Sequence, residues 1–180
     1  MEQGVVLETE RLLLREFQPG DSDALFAVLG DAATMQYYPA AFDRAGVEGW
    51  IARNIERYAR DGFGLWAMVL KSTGEVIGDC GCVLQEVEGR NEVEIGYHVR
   101  RDLWGRGYAT EAARQCIAHA FLKLGTQRVI SMVRPKNLSS RRVAEKNGLR
   151  CEKIISWHGY DHCVYARNRD FVRATRIAGQ

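Results

Sequence analysis

The stretch Val93–Pro135, VEIGYHVRRDLWGRGYATEAARQCIAHAFLKLGTQRVISMVRP, decides the fold. Its opening, VEIGYHV, alternates side chains with the period of two that marks a half-buried strand, and its close, QRVISMVRP, is an apolar, β-branched second strand. Between them a segment starting near Tyr108 places apolar residues at helical spacing and stops at Gly125. Strand, helix and strand in that order predict one crossover, Glu92 through Val133, inside an otherwise antiparallel sheet. A ligand cleft is expected where that crossover leaves the sheet.

The helix opens oddly, with Gly105 and Gly107 flanking Arg106. The first N–H groups of a helix have no partner within it, and its dipole adds partial positive charge there. Glycines bend the backbone and let a bulky anion approach without meeting a Cβ, while Arg100, Arg101 and Arg106 add full charge. The stretch therefore reads as a phosphate cradle or as a tight strand-to-helix turn. No Gly-Lys-Ser/Thr follows and a third glycine is missing, so it is neither a Walker loop nor a dinucleotide fingerprint.

Working outward, GLWAMVLKSTGEVIGDCGCVLQEVEGRNEVEIGYHV reads as three antiparallel strands broken at Ser-Thr-Gly and near Gly89–Asn91. Upstream, RLLLREF (Arg11–Phe17) is a strand, Pro19-Gly20 ends it, and Asp21 or Ser22 caps a helix. DRAGVEGWIARNIERYARDG is a second helix, stopping at Gly62, with Trp50 expected in the core. Downstream, NLSSRRVAEKNG is a short helix from an Asn cap to a Gly stop, and two closing strands follow. The order is β-α-α-β-β-β-α-β-α-β-β, an α+β fold with helices on both faces of a mixed, largely antiparallel sheet.

The chain has 180 residues, 46% of them apolar and 27% charged, which suits a single domain over 1–180. A net charge of +2 argues against nucleic acid as a main partner. No apolar run reaches membrane-spanning length and the N-terminus carries acids where a signal peptide is basic, so cytoplasmic residence is expected, without a membrane partner. Five cysteines, odd in number, are expected to be reduced and mostly packed.

RDLWGRGYATEA resembles the pyrophosphate-binding motif of the GNAT acetyltransferase superfamily, Q/R-x-x-G-x-G/A, with Gly107 and Ala109 on its last two small positions. ETERLLLREFQPGDSDAL, GEVIGDCG and VEIGYHV resemble the opening strand and helix, the central hairpin and the fourth strand of the subgroup that holds ribosomal-protein N-terminal (alanine/serine) acetyltransferases. VRPKNLSSRRVAEKNGL is similar to the family's N-x-x-S/A-x-x-x-x-x-K-x-G-F/L segment, with Asn137, Ser140, Lys146, Gly148 and Leu149 on the marked positions. The likeness covers about residues 9–170.

It implies a GNAT-like fold whose cofactor cleft lies between the fourth and fifth strands, and acetyl-CoA as co-substrate with no metal. By the same resemblance, Tyr97, His98 and Val99 line the pantetheine arm through their backbone. Gly105, Arg106, Gly107, Tyr108, Ala109 and Thr110 hold the pyrophosphate, and Asn137 lies near the thioester. Two positions depart from the pattern: Trp104 stands where Gln or Arg is usual, and Ala144 where many members carry the tyrosine that protonates the leaving thiolate.

The implied reaction is direct attack of a neutral amine on the thioester, which requires deprotonation of the amine, stabilisation of an oxyanion and protonation of sulfur. An α-amine, with a reference pKa of about 7.7–8.0 against about 10.4 for lysine, is the easier acceptor. Glu94 is the candidate for ordering the water that takes the proton, since alternation puts Glu92, Glu94 and Gly96 on one strand face; a solvated strand carboxylate is the alternative. Ser140 is the candidate for hydrogen bonding the sulfur, or else a helix-start serine satisfying backbone. A backbone N–H near Val99 would meet the oxyanion.

The leading expectation is acetylation of a protein N-terminus of ribosomal-protein type, by a monomer or homodimer. A small-molecule amine (amino acid, polyamine or aminoglycoside) as acceptor, or a non-catalytic acyl-CoA sensor, are the alternatives. Tyr37, Tyr38, Phe42 and Trp66 either wall an acceptor groove or pack in the core. His158, His162 and Cys163 supply too few ligands for a closed zinc site, and His119 reads as a helix-packing residue.

Overall fold

In a computed structural model that describes residues 4–169, eight strands form one sheet of order β1-β2-β3-β4-β5-β6-β8-β7. The strands are β1 (Val5–Glu8), β2 (Leu12–Arg15), β3 (Leu65–Leu70), β4 (Val76–Val87), β5 (Arg90–Val99), β6 (Arg128–Val133), β7 (Arg150–Trp157) and β8 (Tyr160–Asn168). The helices are α1 (Ser22–Leu29), α2 (Arg44–Asp61), α3 (Tyr108–Leu122) and α4 (Leu138–Lys146). Every neighbouring pair is antiparallel except β5 and β6. The expected α+β architecture is present, but the crossover through α3 is not single: β6 and β7, each antiparallel to β8, run parallel to one another and are joined over β8 through α4.

The sequence reading missed β1. It is a four-residue edge strand with half-exposed side chains, its run VVLE shows no period, and pairing with β2 is what orders it. It shifts the count, so the strands flanking the cleft are the fifth and sixth in chain order.

One core lies between the sheet and α3, where Ala112, Ala113, Cys116, Ile117, Ala120 and Phe121 face Leu14, Met68, Ile77 and Ile95. A second lies on the opposite face, where Leu25, Val28 and Leu29 of α1 and Val47 and Ile51 of α2 cover Ala67, Val69 and Val76. Trp66 is 1% exposed within the first core, with His119 edge-on at 5.4 Å, so it walls no groove. All five cysteines are free, and only Cys151 is exposed. Asp43 caps α2 by accepting from the Gly46 N–H at 2.7 Å, and Gly62 ends it in the left-handed conformation.

Candidate active site

The parallel pair β5/β6 holds register only at Val93 with Val129 and Glu94 with Ile130. Beyond it Ser131 Oγ donates to the Ile95 carbonyl at 3.1 Å, and the strands then part. The gap opens into a cleft of about 850 Å³ that runs from the start of α3, past the first turns of α4, to an aromatic wall on the α1–α2 side of the sheet.

At one end sits the glycine loop. Gly105 and Gly107 both have positive φ (+76° and +84°), which explains glycine at each, and a Cβ on Gly105 would meet nothing within 4 Å. No side chain caps α3, so the N–H groups of its first turn stay available to a ligand. Gly105, Gly107, Tyr108, Ala109 and Thr110 line the cleft. Arg106 does not, and it meets this region through its carbonyl, which accepts from Arg11 Nη1 at 2.9 Å.

Arg11 was not foreseen in the sequence. Its Nε donates to Glu111 Oε2 at 2.7 Å and its guanidinium lies 4.4 Å from the Tyr108 ring centre. Although burial pushes the Glu111 carboxyl up, hydrogen bonds from Thr9 and Arg11 hold it below the ordinary range. Across the cleft, Arg142 and Lys146 of α4 line the same space. Arg141 turns away to Tyr165 and the Pro135 carbonyl. Trp104, in place of the usual side-chain donor, gives its indole N–H to the Val99 carbonyl at 2.7 Å.

At the middle of the cleft, Tyr97 and Ser140 face one another. The Tyr97 hydroxyl donates to the Ser140 carbonyl at 2.9 Å, and burial raises its pKa. Asn137 caps α4, its Oδ1 accepting from Ser140 N at 3.2 Å and Ser139 Oγ at 3.0 Å, which fixes Ser140 on the cleft side.

The far end carries the titratable groups. Glu94 and His98 lie on one face of β5 with Gly96 between them, and the Leu65 side chain packs over Gly96, 3.3 Å from where a Cβ would stand. Glu94 Oε1 accepts from the Met132 N–H at 3.1 Å, across the point where the strands separate. Burial pushes its carboxyl up to about 7, against that N–H, His98 when its ring is protonated, and the charge of Arg57. Asn54 orients Arg57, accepting from its Nη1 at 3.1 Å.

His98 lines the cleft, and its imidazole is hydrogen-bonded at both nitrogens. Nδ1 lies 2.7 Å from Asp79 Oδ1 and Nε2 lies 2.8 Å from the Tyr38 hydroxyl. Trp50, expected in the core, is half-buried on the cleft wall with its indole N–H on Asp79 Oδ2 at 2.9 Å. Tyr37, Tyr38 and Phe42 line this end with Trp50, facing Trp157 and Tyr160 of the β7–β8 hairpin. Tyr37 ties its loop across the cleft by donating to the Lys136 carbonyl at 3.1 Å. The one sequence signal for Asp79 was an acid within the apolar strand VIGDCGCVL; nothing in the spacing tied it to residues 38, 50 and 98. His158 and His162 pack about Trp157, and among the described residues no three metal-binding side chains cluster.

A splayed parallel pair, an uncapped glycine-led helix in the splay and a carboxyl raised toward neutrality define an acyl-transfer site for a phosphate-bearing donor. Residues 11–150 match the model of the Acetyltransferase (GNAT) domain. The chain belongs to this family, whose co-substrate is acetyl-CoA, and is an N-acetyltransferase. It is 36% identical to Bacillus subtilis YkkB over 162 residues, covering 89% of this chain and 94% of that one. It is also 30% identical to the N-acetyltransferase p20 of Bacillus licheniformis over 152 residues, 83% and 84% of the two chains. A GNAT-family acetyltransferase structure from Bacillus anthracis superposes with a TM-score of 0.77 at 26% identity, covering 90% of this chain and 97% of that one. No described helix is long and apolar enough to cross a membrane.

Proposed function

We propose that the chain acetylates the α-amine at a protein or peptide N-terminus. The observation that carries this reading is the Glu94 carboxyl, raised to about 7 at the floor of an aromatic-walled cleft. A base of that strength removes a proton from an α-ammonium at a penalty of roughly tenfold or less, and from a lysine ammonium at more than about a thousandfold. The motif resemblance to ribosomal-protein N-terminal acetyltransferases points the same way.

The backbone edge of Tyr97, His98 and Val99 would hold the pantetheine arm. The first-turn N–H groups of α3, reached over Gly105 and Gly107, would hold the pyrophosphate, with Arg142 and Lys146 supplying charge. Bound there, acetyl-CoA supplies the activated acyl group. Glu94, directly or through one water, takes the ammonium proton and leaves a neutral amine in the cleft. Ser140 faces the sulfur side, where its hydroxyl would stabilise the departing thiolate by hydrogen bonding, while the Tyr97 O–H is held by the Ser140 carbonyl. Asn137, whose Oδ1 is committed to the cap, offers only its amide nitrogen.

The test is CoA release measured across short peptides of varied N-terminus, lysine, polyamines and aminoglycosides. Turnover on peptide α-amines is expected, with selectivity for the first residue. Turnover on small amines alone would overturn the N-terminal acceptor, and saturable acetyl-CoA binding without turnover on any amine would favour a sensor.

A further inference from the structure

The side chains of residues 38, 50, 79 and 98 come from a loop, a helix and two strands, yet form one continuous chain of hydrogen bonds that ends in the cleft. Asp79 is 0% exposed and His98 8%, whereas Tyr38 is 42% exposed. Buried polar groups are expensive unless paired, and here every link is made. The Trp50 N–H can only donate, so Asp79 Oδ2 accepts from it, and Asp79 Oδ1 accepts from His98 Nδ1. In the neutral imidazole that assignment leaves Nε2 without a proton, and the Tyr38 O–H then donates to it. The lone pairs of the Tyr38 oxygen remain for a group in the cleft.

We propose that Tyr38 is a catalytic residue, and His98 and Asp79 its positioning residues, in a relay that receives the second proton of the acceptor amine. The proposal rests on the acetyl-transfer reading but not on which amine is the acceptor. Glu94 removes the first proton, before attack. When the C–N bond forms, the amine nitrogen becomes cationic and sheds another. The N–H bond breaks toward the Tyr38 oxygen while the phenol O–H proton passes to His98 Nε2. The imidazolium formed is held by the Asp79 carboxylate, as a buried carboxylate orients and stabilises a catalytic histidine elsewhere. The C–S electron pair leaves with the thiolate, which takes a proton from water, and the relay returns its own to solvent through Tyr38.

Although Tyr38 as a whole is 42% exposed, desolvation of its cleft-facing hydroxyl, then the carboxylates of Glu94 and Asp79, raise its pKa, so the phenol keeps its proton until the imidazole takes it. The charged and titratable groups bearing on the relay are Asp79 from β4, Glu94 on the same strand as His98, Tyr38 and Tyr97, with Arg57 of α2 acting on Glu94. Two acid–base groups two residues either side of Gly96 thus divide the two protons.

The experiment compares wild type with Tyr38→Phe, using the amine that wild type acetylates fastest, and records nitrogen-15 NMR of the histidine rings in the full chain. The tyrosine is partly exposed and phenylalanine keeps its ring contacts, so the variant folds. The expected result is a kcat lower by about tenfold or more with acetyl-CoA KM within about twofold. The acid limb of kcat/KM, set by Glu94, should be retained. NMR should show His98 protonated on Nδ1 and bare on Nε2 in the wild type. Unchanged kcat in Tyr38→Phe, or a proton on Nε2, would overturn the relay. Turnover restricted to small amines would overturn the N-terminal acceptor alone and leave the Tyr38 comparison standing.

Discussion

At the residue scale, Glu94 carries opposite consequences for activity and stability. Its carboxyl is raised to about 7 in the fold, chiefly by burial, against about 4.3 in an unfolded chain. The native state therefore binds the proton more tightly. The resulting stability is fully present below the unfolded value and is lost as pH rises through about 7. Glu94→Gln keeps an oxygen for the Met132 N–H and removes the charge. It should raise the melting temperature at pH 8, give no gain at pH 4, and abolish the fall of kcat/KM that wild type shows below about pH 7. Calorimetry at the two pH values and pH–rate profiles check this. Equal melting temperatures at pH 8 would mean that the carboxylate is not held in a desolvated place.

At the element scale, the glycine loop is held from outside its own segment, by Arg11 on the β1–β2 hairpin. Arg11 neutralises Glu111 in the first turn of α3 and pins the Arg106 carbonyl. Without it, a bare carboxylate would stand beside the proposed pyrophosphate site and the loop would lose an anchor. Arg11→Ala should raise the acetyl-CoA dissociation constant by about fivefold to thirtyfold, roughly 1–2 kcal/mol, and Arg11→Lys should restore it only partly, because an ammonium cannot reproduce the fork. Titration by calorimetry checks it. The elements themselves were legible where a period ran long enough: α3 begins at Tyr108, and α2 and α4 run from their cap residues Asp43 and Asn137 to stops at Gly62 and just before Gly148. β1 was not, since its short run VVLE alternates neither in polarity nor in burial, whereas the equally short β2 alternates buried and half-buried side chains. The geometry of the glycine loop, two positive-φ glycines leading an uncapped helix, was legible because it is local. The Arg11–Glu111 pair and the Tyr38–His98–Asp79 chain join residues up to 100 positions apart, and no spacing rule couples such distant side chains.

At the scale of the whole molecule, the splay divides the sheet into β1–β5 and β6–β8, joined by two register pairs, by α3 and by side-chain bridges that include Glu94 to Met132, Ser131 to Ile95 and Arg128 to Glu92. A ligand that lies along β5 and reaches α3 and α4 adds ties across that division and binds only the folded chain. Its contribution is RT ln(1 + [L]/Kd), about 2.7 kcal/mol at a hundred times the dissociation constant. For a chain of this size, at roughly 2–4 °C per kcal/mol, acetyl-CoA should raise the melting temperature by about 5–11 °C. Acetyl-pantetheine at the same concentration, having no pyrophosphate for the α3 N-terminus and no charge for Arg142 and Lys146, should give a much smaller shift. Hydrogen exchange should slow together at the first turn of α3 and along Tyr97–Val99 with acetyl-CoA. Equal shifts from the two ligands would remove the glycine loop from the binding account, and protection confined to one half of the sheet would show that the cofactor does not bridge the splay.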